Sequence, residues 1–315
     1  MNKYELQVVK ELSELEGEII AELKTAFAES LNDVKYTIKQ LQFAIDELNE
    51  DITANESIVR SKIYQLKYQQ LLREEIELNL NLLQEKNIKN IADYLKKMYN
   101  NNYLGMIYSL QKEYNIPVHN PVNPLLMTMS VLKKTEDYIF SQRLYSDIGE
   151  LKKVVKAEIS RGIASGKSYR DIAKNIAKKY NTEYYNAVRI ARTEGARVSS
   201  EAQLQSINDA VSEGADLLKR WDATLDSKTR DTHRELDGQT VEYNQDFVYS
   251  GGTVSAPTKF EGATSASENI NCRCRLSVIP RWAVDKTATR KDNISGEIIP
   301  YKIYDEWKKA YIKSF

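Results

Sequence analysis

No proline precedes Pro117, and Gly17 and Gly105 are the only glycines in that stretch. It therefore lacks the residues that break helices. Cysteine is almost absent, the two in the chain being Cys272 and Cys274. A bridge across one intervening residue would be strained, which sets aside a structural disulfide framework. Thiols so close read instead as metal ligands, a redox pair or packed core residues. No uncharged apolar run approaches the ~18 residues of a spanning helix, and Met1-Asn2-Lys3-Tyr4-Glu5 lacks the apolar stretch of a signal peptide. The expectation is a chain made in a cytoplasm, with no membrane partner. Net charge is also missing, with 45 Lys and Arg against 45 Asp and Glu. That argues against a surface that clings everywhere to nucleic acid, while leaving a local basic face open. Hydrophobic residues make up 42% of the chain, enough for a core, and 315 residues suit about two domains.

Apolar residues recur at Leu12, Leu15, Ile19, Leu23, Phe27, Leu31, Val34, Ile38, Leu41, Ile45, Leu48 and Ile52. Steps of three and four are helical and lie close to a heptad seam. After Thr53–Ser57 a second stretch runs through Ile63, Leu66, Leu71, Ile76, Leu80 and Leu83, and a third covers Ile88 to Leu110. The stripes bury one another or offer an assembly surface. The segment Ile116–Pro124 holds three of the six prolines and reads as a linker or loop. Leu125 to Glu158 returns to helical spacing, and Ser168 with Asp171 forms a capping pair at a further helix start. Gly166-Lys167-Ser168 resembles the end of a phosphate-binding loop, but Arg161 stands where the first glycine belongs, so nucleotide binding is rejected. A helix, turn, helix pattern runs through Tyr180 into Tyr184–Ala202 and reads as two packed helices. The region is locally basic; Lys174, Lys178, Lys179 and Arg189 are candidates for contacting DNA phosphates, or else a solvated face.

From Arg192 onward the residue types change. Arg192, Thr193 and Glu194 lie on a helix expected to run to about Asp209. Lys219–Thr224 reads as a short strand anchored by Trp221. Asp226 caps a short helix that sets Arg230, His233 and Asp237 on one side. Asp237-Gly238 marks a turn before a strand at Thr240–Tyr243. Residues 244–271 read as a loop or irregular ribbon, and alternation from Arg273 to Ile279 marks a last strand closed by Pro280. The polar end carries a short amphipathic helix, Tyr304–Ile312, with Trp307 and Tyr311 four apart.

The expected class is α+β, a long helical N-terminal arm or bundle followed by a small mixed α+β C-terminal domain. The divisions are a helical arm at 1–115, a proline-rich linker or loop at 116–124, a helical connector at 125–180, the small domain at 181–283 and a polar tail at 284–315.

The order Arg192-Thr193-Glu194, then Trp221-x-Ala223-x-x-Asp226-x-x-x-Arg230-x-x-His233-x-x-Leu236-Asp237-Gly238-Gln239, then Asn271-Cys272-Arg273-Cys274 resembles the head-morphogenesis domain of the phage Mu F-like family. The resemblance covers about a third of the chain. It implies a minor capsid protein of the virion, associated with the portal and in contact with scaffold or major capsid protein, assembled in the host cytoplasm. Some members bind double-stranded DNA and influence packaging or ejection; others are fused to toxin domains. The stretch after Trp282 is too short for an appended enzyme domain.

Three readings of the series stay open. Cys272, Cys274 and His233 are natural zinc ligands, with Asp226 or Asp237 to complete a tetrahedron. By the resemblance, some family members carry a further histidine just before the Asn-Cys-Arg-Cys, where Ile270 stands here. Alternatively His233, Asp237, Arg230 and Glu194 form a metal-dependent, nuclease-like acid–base site, with Cys272 as a nucleophile. The third and favoured reading is a buried structural network of Arg192, Glu194, Arg230 and Asp237 beside Trp221, in a protein that is not an enzyme.

Overall fold

A computed structural model describes residues 2–50, 57–133, 140–165, 167–284, 289–291 and 298–300. The expected tail helix at Tyr304–Ile312 lies outside the described residues. The fold is α+β, with long helices first and short antiparallel strands after them. It divides into two compact units.

One unit comprises Glu18–Asp93 and Lys134–Ile190 and is helical. It takes most of α1 (Lys3–Glu50), the first part of α2 (Ser57–Tyr114), α4 (Phe140–Ala164) and the first half of α5 (Tyr169–Ser212). The expected stripe is its core. Ile19, Leu23, Phe27, Val34, Ile38 and Leu41 of α1 are buried, as are Ile76, Leu80 and Leu83 of α2. From α4 and α5 come Leu144, Ile148, Leu151, Val155, Ile172 and Ile176. Each such side chain contributes roughly 1.5–3 kcal/mol on burial. Phe27 meets Tyr180 edge to face at 6.4 Å, and the Tyr180 hydroxyl lies 3.0 Å from Ser30 Oγ. Two sequence expectations change. Helix α2 runs unbroken where the spacing suggests two segments, and α5 is one helix where it suggests two packed helices. Neither junction holds a proline or a glycine, so nothing in the backbone stops the hydrogen-bond ladder. Helix α5 starts as expected, with Ser168 Oγ donating to Asp171 Oδ2 at 2.7 Å and accepting from the Asp171 main-chain N–H at 3.3 Å.

The other unit comprises Met1–Gly17, Tyr94–Lys133 and Ala191–Phe315. The chain leaves α2 at Asn115, whose φ of 54° turns it, and runs without helix to α3 (Pro124–Leu132). Asn123 caps α3 by accepting from the N–H groups of Leu125 and Leu126, and Pro124 sits where no N–H is needed. The second half of α5 lies behind a three-stranded antiparallel sheet of order β2-β1-β5. Its strands are β1 (Leu217–Asp222), β2 (Thr240–Glu242) and β5 (Arg275–Pro280). Trp221 pairs with Leu276 and Lys219 with Val278, which places the Asn-Cys-Arg-Cys run immediately beyond the end of β1. Gln203 of α5 clamps the register, donating to the Leu276 carbonyl and accepting its N–H, both at 3.3 Å. A short helix α6 (Asp231–Leu236) follows β1, and a hairpin of β3 (Phe247–Tyr249) and β4 (Gly252–Val254) lies in the stretch read as irregular ribbon. Helix α7 (Ser265–Asn269) then leads into the cysteines.

Candidate metal centre

Three consecutive residues of α5 point three ways, each about 100° further round the helix. Arg192 turns outward, its Nε 2.8 Å from Glu16 Oε1. Thr193 Oγ1 accepts the main-chain N–H of Asn271 at 3.2 Å and so holds the start of the cysteine run. Glu194, almost fully buried, receives Arg197 Nε at 2.7 Å. Arg197 also reaches Glu201 Oε2 at 3.1 Å and donates to the Ser130 carbonyl at 2.8 Å. Lys259 Nζ, at 2.6 Å, and Lys133 Nζ, at 3.0 Å, converge on Glu201 Oε1. Burial opposes charge on Glu201, but Lys259 and Arg197 outweigh it and draw its pKa down to about 2.

The loop after β1 is closed by its own polar groups. Asp237 ends α6 and accepts the Ala223 N–H at 2.8 Å. Gly238, at a φ of 81°, then donates its N–H to the Trp221 carbonyl at 2.8 Å, a backbone geometry that favours glycine. Asp226 does not cap α6. It accepts the Lys228 N–H at 2.9 Å and takes a bidentate grip from Arg273, at 2.5 and 2.6 Å. The Arg273 hydrogen bonds hold its carboxyl well below the usual carboxylate range. Arg230 stands at the N-cap of α6, not on its face, and donates to the carbonyls of Glu268 at 3.2 Å and Ile270 at 2.6 Å.

These clamps shape one cluster. Asn271, at a φ of 54°, reverses the chain, a conformation that asparagine tolerates better than most residues. Cys272 and Cys274 therefore both turn inward beneath α6. His233 Nδ1 lies 3.2 Å from Cys274 Sγ and 3.7 Å from Cys272 Sγ. All three side chains are buried, and their donor atoms lie within 4.8 Å of one another. The Cys272 thiol is held well below its ordinary range, first by its hydrogen bond with Cys274 and then, against burial, by His233. Burial and the Cys272 charge push Cys274 up. Glu268 Oε2 is 3.0 Å from His233 Nε2, close enough for an ion pair but off the line of a hydrogen bond. Thr232 Oγ1 steadies that carboxylate at 2.8 Å.

The structure thus brings together His233, Cys272 and Cys274, and leaves Asp226 out, occupied by Arg273. Asp237 is buried close by but is held by the Ala223 main chain. Arg192, Glu194 and Arg230 lie in three separate clamps and do not converge on His233. The acid–base set of His233, Asp237, Arg230 and Glu194 is divided instead: Glu194 pairs with Arg197, Arg230 holds the Glu268 and Ile270 carbonyls, and Asp237 accepts the Ala223 N–H. Of the basic candidates on α5, Lys174, Lys178 and Arg189 are exposed. Lys179 pairs with buried Glu183 at 2.6 Å.

Sequence reasoning gave Thr193 no separate role and missed Glu201, Glu268 and Phe260. Phe260 stacks on His233 at 5.1 Å with 11° between the rings, and fixes the imidazole plane. Only the run Asn269 to Cys274 hinted at it, since Asn269 pins Phe260 by accepting its N–H at 3.2 Å and donating to its carbonyl at 2.9 Å.

The family described as phage Mu protein F like protein matches residues 153–277. The chain is 27% identical over 291 residues to the minor head protein of Bacillus phage SPP1, covering 86% of this chain and 88% of that protein. It is 32% identical over 302 residues to an NAD(+)–arginine ADP-ribosyltransferase of Enterococcus faecalis. That match covers 95% of this chain but 61% of the transferase, less than two thirds of its length. No solved structure matches the chain.

Proposed function

We propose that this chain, which belongs to the phage Mu F-like family, is a bacteriophage minor head protein that acts in head morphogenesis and resides in the virion. The observation that carries this reading is the extent of the likeness to the SPP1 minor head protein, which runs far beyond residues 153–277. The buried pairs among Glu194, Arg197 and Glu201 suit a scaffold, because a charge network enclosed by protein organises a fold and faces no substrate. The partners would be the portal protein and scaffold or major capsid protein. Co-expression with those three proteins is expected to place the chain in procapsids that contain portal. Its absence from such particles would count against the proposal.

The Enterococcus relative favours a second reading, as an enzyme or a component that delivers one. We assign the transferase activity to the part of that relative which this chain does not span. Incubation with labelled NAD(+) and an arginine-rich acceptor is expected to leave the acceptor unlabelled, and linear duplex DNA with magnesium is expected to stay intact. Transfer of label, or cleavage, would reverse the assignment of a non-enzymatic role.

Lys174, Lys178 and Arg189 are the proposed DNA contacts, serving packaging or ejection. Replacing all three by alanine is expected to reduce the slope of log affinity against log salt by about 2–3, since each phosphate contact releases close to one counterion. Lys179→Ala is expected to change little, because its charge is already paired with Glu183. Filter binding over a salt series reads both.

A further inference from the structure

We propose that His233 Nδ1, Cys272 Sγ and Cys274 Sγ bind one zinc ion, with Glu268 orienting His233 from behind and Asp226 taking no part. The ion would sit under α6 and join it to the chain leading into β5. Two thiolates and an imidazole are the soft and borderline donors that select zinc over magnesium or calcium.

The spacing fits. Zinc bonds of about 2.3 Å to sulfur and about 2.05 Å to nitrogen at tetrahedral angles set donors about 3.6–3.8 Å apart. His233 Nδ1 stands 3.2 and 3.7 Å from the two sulfurs. Both distances lie close to that range, and small rotations about the side-chain bonds would adjust them.

Two further observations point to an ion. The first is the carboxylate at the far ring nitrogen. A histidine that binds zinc through one nitrogen commonly gives its other N–H to a carboxylate, which fixes the tautomer and raises the ligand's basicity. Glu268 Oε2 lies 3.0 Å from Nε2, off the line of that hydrogen bond but within reach of it on a small turn of the carboxylate, and Phe260 stacks on the ring. The second is Trp221. Its side chain is fully buried and its Nε1 lacks a hydrogen-bond acceptor. The indole N–H lies toward Cys274. A neutral thiol is a poor acceptor for a buried N–H, whereas a metal-bound thiolate is a good one.

Among the described residues no fourth His, Cys, Asp or Glu donor joins the three, which leaves a position open to water. Zinc would bind both sulfurs as thiolates and Nδ1 without its proton, so every proton these three atoms carry passes to solvent, and no oxidation state changes.

The test uses the full chain purified under reducing conditions. Elemental analysis is expected to find about one zinc per chain, and zinc is expected to stabilise the fold, because a structural ion's binding energy adds to folding. Asp226→Asn is expected to keep the zinc, Cys274→Ser to lose it, and Glu268→Gln to weaken affinity about 10–100-fold. Cobalt(II) titration of metal-stripped wild-type protein is expected to produce thiolate-to-cobalt charge-transfer absorption. That measurement decides the question even where a cysteine variant fails to fold. Failure of the wild type to bind either added zinc or cobalt overturns the proposal. So does a Cys272–Cys274 disulfide under these conditions, or zinc retained when both cysteines are serine.

Discussion

Glu201→Gln is expected to destabilise the small domain by about 3 kcal/mol at pH 7, with the loss vanishing in acid. The substitution preserves size and leaves the contact with Ser130 Oγ in reach. It removes the charge on which Lys259, Lys133 and Arg197 converge. Lys259 is largely buried and its pKa is lowered first by burial, so it depends on that carboxylate to stay charged. Arg197 keeps Glu194 but loses its second acid. Removing one member of such a buried set costs roughly 3–5 kcal/mol. The fall of the Glu201 pKa from an ordinary 4.5 to about 2 gives a figure of the same order. A depressed carboxylate pKa stabilises the fold above its unfolded value, and that stability disappears as pH falls through the folded value. The gap between wild type and variant is therefore constant above about pH 5 and shrinks from 4.5 toward 2. Urea denaturation at pH 7 and pH 3 measures it, with less than half of the gap expected at pH 3. A gap unchanged between those two pH values would show that packing, not charge, is responsible.

The helices were legible because their cause is local. The stripe from Ile19 to Leu41 and the residues Ile76, Leu80 and Leu83 carry helical spacing in the chain itself, and all of the first set except Leu31 is buried. Absent punctuation is less informative. Nothing in sequence distinguishes a turn made of ordinary residues from a continuing helix, so the spacing alone divides α2 and α5 where no breaker stands. The Trp221 anchor marks β1, the Asp237-Gly238 turn marks β2 and alternation marks β5. At the site, residue type led correctly to His233, Cys272 and Cys274 as neighbours, since few side chains offer sulfur or imidazole. Type alone misled at Asp226. A carboxylate beside two thiols suits a ligand set, but Arg273, between the cysteines, turns outward and claims it. Glu268 and Glu201 could not be found the same way. Glu268 lies 36 residues from Thr232, and Glu201 lies 58 from Lys259. Only the closed fold brings them together.

Trp221→Ala is expected to cost about 3–5 kcal/mol, the largest loss from any single truncation in the small domain. Its side chain is wholly buried at the end of β1. Three rings meet it edge to face: Phe247 at 5.3 Å, Phe260 at 5.9 Å and His233 at 6.1 Å. Such pairs contribute about 0.5–1.5 kcal/mol each beyond area, because the positive edge of one ring meets the negative face of another. Truncation removes all three and leaves a cavity that a rigid sheet and α6 cannot fill. Trp221→Phe keeps an aromatic edge and most of the volume, so it is expected to lose roughly half as much. Because Phe260 stacks on His233, the two variants also separate packing from placement of the imidazole. Thermal unfolding followed by near-ultraviolet circular dichroism reads the stability. The nuclear magnetic resonance signals of the His233 ring read its placement, with Trp221→Phe retaining one conformation and Trp221→Ala showing several. Equal losses in the two variants would mean that the indole N–H toward Cys274, and not the aromatic packing, holds this end of the sheet.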